Sequence, residues 1–97
     1  MFEVIMEPEA DKIWHLLRSN KTYEKRLKAI SKTIKFLSRN PRHPGLQSHE
    51  YHGLIGPHGA KVFEAYAEQN TPGAYRVFWC YGPKSGQITI LSITPHP

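Results

Sequence analysis

The sequence predicts an α+β fold in which an N-terminal helical hairpin packs on an antiparallel β-sheet. Two observations indicate it: apolar residues first recur at helical spacing, and three β-branched and aromatic segments then follow toward the carboxyl end. The predicted element order is β-α-α-β-β-β, and strands that follow a run of helices are typical of α+β folds. We expect both helices to cover one face of the sheet and the other face to be open and concave.

The first strand and the first helix are predicted in the opening 18 residues. Phe2 to Met6 is a short apolar run, which is typical of a strand. A helix is expected to start at Glu7 to Glu9, because Pro8 suits the first helical position and carboxylates suit the positive end of the helix dipole. Its apolar face is formed by Ala10, Ile13, Trp14 and Leu17.

The second helix is the clearest element of the sequence. Its apolar residues step by four and three and therefore share one face: Tyr23, Leu27, Ile30, Ile34 and Leu37. Asn40 and Pro41 end it. The other faces carry one acid, Glu24, and many cations, of which Lys25, Lys28 and Lys32 are candidate contacts to a nucleic-acid backbone. The alternative is that this basic helix face contacts only solvent and has no binding role.

The carboxyl-terminal half is predicted to form most of the sheet. Residues Pro41 to Ala60 are rich in Pro, Gly and His and indicate a loop, with room for a short strand between Gln47 and Leu54. Three strands separated by Gly- and Pro-containing turns follow: Lys61 to Glu68, Tyr75 to Tyr81, and Gln87 to Thr94.

Length and composition limit the class of protein. The 97 residues allow one domain, 1–97, with one core. The excess of 13 Lys and Arg over 8 Asp and Glu favours a polyanionic or acidic partner, or serves solubility alone. Cys80 is the only cysteine, which excludes an intrachain disulfide and indicates a reducing compartment. The sequence shows neither a leader nor a membrane span, so we expect a cytoplasmic protein.

Several of these segments resemble those of one family. The segments are the helix end from Leu37 to Pro41, the pair His52 and Gly53, the strand from Ala74 to Trp79, and the final apolar strand. Over almost its whole length the chain resembles the RelE/ParE superfamily of bacterial toxins. Members similar to RelE and YoeB cleave messenger RNA on the ribosome without a metal ion, and each is balanced by an antitoxin. The resemblance implies attack of a ribose 2′-OH on the adjacent phosphate.

Two residues match functional positions of that family. Such a reaction needs a proton acceptor, cations at the phosphate and a proton donor for the leaving oxygen. Arg76 matches the arginine of the family's Tyr-Arg strand, where a guanidinium binds phosphate through two hydrogen bonds. The alternative is a structural pairing of Arg76 with Glu64 or Glu68. His96 matches a terminal arginine or histidine, and an imidazole suits proton transfer near neutral pH.

The chain departs from the family's pattern on one strand. RelE-like ribonucleases carry two lysines on the strand that corresponds to Lys61 to Glu68. Here only Lys61 is present, one residue out of phase with the pleat, as an RNA-binding candidate. The proton acceptor is then expected to be Glu64, or Glu50 or His49 in the preceding segment. No helix follows the last strand, so a catalytic tyrosine carried there by relatives is missing.

Aromatic residues and histidines supply the remaining candidates. Tyr51, Tyr66 and Tyr81 are candidates for base stacking, because aromatic faces hold unpaired bases. Four histidines lie in the loop after the second helix, but their spacing does not match a zinc motif, so we expect neither metal nor cofactor. Cys80 is expected to be a buried, inert thiol.

The leading hypothesis is a metal-independent endoribonuclease toxin that acts on mRNA, on the ribosome, and pairs with a cognate antitoxin. The antitoxin is expected to offer an acidic, amphipathic segment, and no membrane is involved. One alternative is a ParE-like toxin that inhibits DNA gyrase without nuclease activity. A second alternative is a degenerate domain of the same fold that only binds RNA or protein.

Overall fold

The computed structural model describes residues 1–95 and confirms the α+β class. The 3₁₀ turn Lys21–Tyr23 joins the two helices, and two further 3₁₀ turns flank a two-residue strand that lies within the segment left open for one. The order therefore contains one strand more than predicted. The main elements are β1 (Glu3–Met6), α1 (Pro8–Arg18), α2 (Glu24–Arg39), β2 (His49–Glu50), β3 (Phe63–Tyr66), β4 (Tyr75–Tyr81) and β5 (Gln87–Pro95).

Both helices begin and end where their sequence indicates. Pro8 occupies the first turn of α1, with Glu9 and Asp11 at the positive end of the helix dipole. Before α2, the side-chain oxygen of Asn20 accepts a hydrogen bond of 2.9 Å from the backbone N–H of Thr22 and fixes the turn. In the part of the chain that the structure describes, neither helix is long and apolar enough to cross a bilayer.

The sheet is mixed, with the strand order β1-β5-β4-β3-β2. β2 to β5 pair antiparallel, whereas β1 runs parallel to β5, with Val4 opposite Ile88. The prediction of a wholly antiparallel sheet is therefore wrong at β1. A short turn forces neighbouring strands to run antiparallel, but β1 is followed by two helices, so its local sequence leaves its direction open.

The core lies between the helices and one face of the sheet. Each fully buried aliphatic side chain there stabilises the fold by about 1.5–3 kcal/mol. The helices contribute Ala10, Leu17, Ile30 and Leu37, and the sheet contributes Ala65, Val77, Trp79, Ile88, Ile90 and Ile93.

The opposite face of the sheet is not open along its whole length. Phe78 in β4 is only 5% exposed, and the ring of Tyr51 packs against it with centroids 4.9 Å apart. The segment Tyr51 to Ala60 returns over this face, and its last residues line a cavity together with the buried thiol of Cys80. The expectation of an open, concave face is wrong for this half of the sheet. The other half carries the charged residues described next.

Candidate active site

Four polar or aromatic side chains converge on the sheet face that the helices do not cover. His49 lies directly opposite Glu64 in the β2–β3 pair, and Tyr66 lies directly opposite Arg76 in the β3–β4 pair. Residues directly opposite each other in a sheet point to the same face, and so do residues two apart along one strand. The register therefore places all four side chains on one face.

Glu64 is the centre of this group. Its carboxylate is buried, with the residue 4% exposed. One oxygen lies 2.9 Å from Nε2 of His49, and the other lies 4.0 Å from Nε of Arg76. Because a buried carboxylate without partners is strongly destabilising, these two contacts account for the presence of a charge at this position.

His49 links the buried carboxylate to solvent. Its side chain is about half exposed, at 49%. With its Nε2–H donating to Glu64, the other ring nitrogen, Nδ1, lies 3.3 Å from the carbonyl oxygen of Gln47. That carbonyl accepts a hydrogen bond from Nδ1 once this nitrogen carries a proton. His49 therefore has a hydrogen-bond acceptor close to each of its two ring nitrogens.

Arg76 is held by a ring and by backbone carbonyls. Its guanidinium carbon lies 4.0 Å from the centroid of the Tyr66 ring, and Nη1 donates to the carbonyl oxygens of Glu68 (3.2 Å) and Ala74 (3.4 Å). The side chain is 11% exposed, and its buried Nε has no hydrogen-bond partner among residues 1–95. A guanidinium has five N–H donors, and because the donor at Nε is buried, an anion would be met by the donors at the terminal nitrogens.

The structural alternative for Arg76 finds partial support. Glu64 approaches it only to 4.0 Å, at the outer limit of an ion pair. The carboxylate of Glu68 binds elsewhere, accepting hydrogen bonds from Nε of Arg26 (2.9 Å) and from the backbone N–H of Tyr75 (3.0 Å). Arg76 is thus placed by several weak contacts rather than fixed by one carboxylate.

Glu50 and Lys61 do not join the group. Glu50 follows His49 in β2 and therefore points to the opposite side of the sheet, where its carboxylate lies 3.5 Å from Nδ1 of His52. Lys61 precedes β3, is exposed, and lines a separate cavity with Glu50. Lys61 does not share the alternation that places Glu64 and Tyr66 on one face of the sheet, which accounts for its position away from the group.

The three candidate lysines of α2 are all exposed, and they differ in their surroundings. Lys28 lies 3.9 Å from Glu24, and Lys25 lines a small cavity that also contains Glu68. Lys32 lies 5.6 Å from the centroid of the Phe36 ring and lines a larger cavity shared with Tyr66. Of these lysines, Lys32 is therefore the one that shares a cavity with a residue of the site.

Tyr66 and Tyr81 lie apart. Tyr66 contacts Arg76 with its ring face, and His49 approaches it edge-on with centroids 5.7 Å apart. Tyr81 packs in an aromatic cluster with Trp79 (5.0 Å) and Phe63 (5.9 Å), on the face that the helices cover. Tyr81 is 42% exposed and so remains a stacking candidate, but at a different place from Tyr66.

Two further predictions concern titrating groups. His96 lies outside the described residues, so its role as a proton donor stays a prediction; β5 does run past the site, with Thr94 opposite Arg76. Burial, and secondarily the charge of Glu7, raise the pKa of the Cys80 thiol. Within residues 1–95, no three His, Cys, Asp or Glu side chains are grouped closely enough to hold a metal ion.

The sequence indicated the members of this group but not how they are arranged. Glu64 and His49 were alternatives for one role, whereas the structure joins them in a pair. The signal was weak because β2 is only two residues long, and the sequence does not show which residue of β3 it faces. Tyr66 was expected to stack on a base, and its ring instead carries Arg76.

The comparisons with known proteins concern the fold. No family model and no curated protein matches the chain. Solved structures do match. The YoeB/ParE toxin from Agrobacterium tumefaciens is 7% identical with a TM-score of 0.71, and the match covers 99% of this chain and 100% of that one.

Two further matches come from complexes. The YoeB–YefM complex from Staphylococcus aureus is matched with 16% identity, a TM-score of 0.68, and 100% and 99% coverage of the two chains. The archaeal RelE–RelB complex from Pyrococcus horikoshii OT3 is matched with 18% identity, a TM-score of 0.65, and 97% and 93% coverage. The resemblance inferred from the sequence is thus confirmed at the level of the fold: the chain has the fold of the RelE/ParE superfamily toxins.

Proposed function

We propose that the chain is the toxin of a toxin–antitoxin pair and acts as a metal-independent endoribonuclease on messenger RNA at the ribosome. The observation that carries this proposal is the group of His49, Glu64 and Arg76, which combines an exposed imidazole, a buried carboxylate and a partly free guanidinium. This set supplies proton transfer and phosphate binding in one place.

In the proposed reaction, Nδ1 of His49 takes the proton from the ribose 2′-OH. The O2′ atom then bonds to the adjacent phosphorus, and the bond from phosphorus to O5′ breaks. Glu64 holds Nε2–H and stabilises the resulting imidazolium, as a buried carboxylate does for a catalytic histidine. The guanidinium of Arg76 binds the phosphate oxygens, whose negative charge grows in the transition state.

The leaving O5′ must gain a proton. The resemblance assigns this to His96, at the end of the chain. The products are a 2′,3′-cyclic phosphate on one fragment and a 5′-hydroxyl on the other. The atoms balance without a bound water or a metal ion.

A cell-free translation assay tests the proposal. Purified protein should stop translation, and the cut messenger should carry 2′,3′-cyclic or 3′-phosphate ends whether or not EDTA is present. An Arg18→Ala variant, altered on the exposed end of α1, serves as the control and should act like the wild type. Normal translation, or cleavage that depends on added metal, would overturn the mechanism.

The partners and location follow from the same proposal. The matched structures include complexes with the proteins YefM and RelB. We expect an acidic segment of a cognate antitoxin to bind this chain, because its net charge is +5. Action at the ribosome would place the protein in the cytoplasm.

One observation favours a second candidate. Glu64 occupies the strand on which RelE-like nucleases carry lysines, and Lys61 lies away from the site. A ParE-like inhibitor of DNA gyrase needs no such cations. If the protein blocked supercoiling by gyrase and left translation normal, the gyrase inhibitor would be the supported function.

A further inference from the structure

Two neighbouring cavities share the side chain of His43. One, of about 530 Å³, lies between α2 and β3; we call it the α2–β3 groove, and its lining includes Lys32, Phe36, His43, Tyr66 and Gln69. The other, of about 270 Å³, is called the Tyr81 cavity, and its lining includes Arg42, His43, Phe63, Trp79 and Tyr81. His43 thus stands between Tyr66 and Tyr81, two of the three tyrosines that the sequence indicated for base stacking.

His43 is held in one orientation. Its Nδ1 accepts a hydrogen bond of 2.9 Å from the backbone N–H of Gly45. Its ring stacks on Phe36, with centroids 4.5 Å apart and an interplanar angle of 13°. Because Nδ1 accepts, the ring proton of the neutral imidazole is on Nε2. His43 therefore offers a fixed aromatic plane and an N–H donor of defined tautomer.

Both cavities suit an anionic ligand. Of the described residues that line the α2–β3 groove or the Tyr81 cavity, none is acidic, and each cavity has one lysine or arginine, Lys32 or Arg42. Three other cavities of the described residues each contain a glutamate: Glu7, Glu50 or Glu68. The two cavities that share His43 thus differ from these three in containing no carboxylate that would repel an anion.

The α2–β3 groove adjoins the candidate active site at Tyr66. Tyr66 lines the groove, and the same ring carries the guanidinium of Arg76 at 4.0 Å. Tyr66 lies opposite Arg76, and Tyr81 follows Arg76 by five residues along β4, so the backbones of the two tyrosines are roughly 17 Å apart. About five stacked nucleotides, or fewer extended ones, cover such a length.

We propose that the single-stranded RNA next to the cleavage point lies along the track from Tyr66 past His43 to Tyr81. Lys32 and Arg42 meet its phosphates. The rings of Tyr81 and His43 stack on its bases, and the Nε2–H of His43 donates a hydrogen bond to one of them. Aromatic faces set in a cationic groove are the usual means by which proteins hold single strands without reading a fixed sequence. This inference rests on the proposed function and adds where the substrate's flanking nucleotides lie.

Binding of RNA analogues of increasing length tests the track. Oligonucleotides of about two to eight residues with 2′-O-methyl groups lack the attacking hydroxyl and cannot be cut. By fluorescence anisotropy, the wild type should bind more tightly as length grows. His43→Ala should lose roughly five- to fiftyfold in affinity for the longer oligonucleotides, the effect of one stacking contact, and little for the dinucleotide.

Two further variants sharpen the test. A Cβ added at Gly45 would lie 3.0 Å from Cε1 and Nδ1 of His43, so Gly45→Ala should shift the ring and weaken the same long oligonucleotides. His15→Ala is the matched control, since His15 is an exposed histidine of α1 that pairs with Asp11 away from the track. Circular dichroism should show each variant folded.

The outcomes separate the track from the proposed function. If the wild type cuts messenger RNA and His43→Ala still binds long oligonucleotides normally, the track is overturned and the nuclease stands. Length-dependent binding that needs His43, without cleavage, supports the track and refutes the nuclease. If the oligonucleotides fail to bind while an acidic peptide binds and needs His43, the track belongs to a protein partner and the inference is wrong.

Discussion

The two faces of the sheet are buried to a similar degree but are built from different chemistry. On the helix-covered face, Trp79 and Ile90 are part of an apolar core. On the other face, Phe78 is equally enclosed, but beside it lie the carboxylate of Glu64 and the guanidinium of Arg76. Burial of charged groups is weak as a source of stability, and an apolar replacement is often neutral or stabilising. We therefore propose that the second face serves binding and chemistry, whereas the first serves stability.

Truncation on the helix-covered face should give the largest loss of stability. Trp79 is a large, fully buried side chain, and its ring stacks on Phe63 at 4.9 Å. We expect Trp79→Ala to lower the free energy of unfolding by about 3–5 kcal/mol, because a large cavity replaces the indole. Urea denaturation measures this. A loss below about 1 kcal/mol would show that this face is not the main core.

Truncation on the other face should instead remove activity. We expect Arg76→Ala to slow RNA cleavage about thirty- to a thousandfold, the effect of losing a contact made mainly in the transition state. Arg76→Lys should restore only part of it, because an ammonium cannot bind two phosphate oxygens in the guanidinium geometry. Single-turnover cleavage measures both, with Arg18→Ala as the control.

A thermal melt distinguishes the structural interpretation of Arg76. If Arg76→Ala lowers the melting temperature sharply and activity falls only in proportion, the residue braces the sheet beside Glu64. The proposal that one face serves stability and the other serves activity would then be wrong.

The His49–Glu64 pair should give a smaller loss, shared between its members. We expect His49→Ala to slow cleavage about a hundredfold, as removal of a proton acceptor does. Glu64→Gln should act through the same proton transfer, so the double variant should lose little more than His49→Ala alone. Single-turnover rates of the three variants give the coupling. Fully additive losses would mean that the two residues act independently.

The sequence predicted the features that depend on neighbouring residues. The helix-covered face followed from the apolar spacing in α2, and Arg76 was found because it alone interrupts an apolar strand. The parallel direction of β1 and the pairing of His49 with Glu64 depend on contacts between residues far apart in the chain. The segment Tyr51 to Ala60 has no periodicity, so its return over Phe78 could not be predicted.

Cys80 offers the finest test, because it lies on the charged face but is expected to stay neutral. Burial, and then the charge of Glu7, raise the pKa of its thiol in the folded chain. The folded state therefore keeps this proton to a higher pH than the unfolded state, whose thiol titrates at about 8.5. The stability that the neutral thiol contributes is fully present below that pH and is lost as pH rises through the folded-state pKa.

Cys80→Ala removes this titration and leaves the other alkaline groups in place. We expect the difference in unfolding free energy between the wild type and Cys80→Ala to be constant from about pH 6 to about pH 8, and to shrink toward about pH 10. Urea denaturation at each pH measures it, and reaction of the folded wild type with a thiol reagent should be slow near neutral pH. A difference that grows with pH would mean that the thiolate is stabilised at this position. The sheet face that carries Cys80 would then stabilise a negative charge close to Glu7. In that case Cys80 would not differ from Glu64 and Arg76 in being neutral.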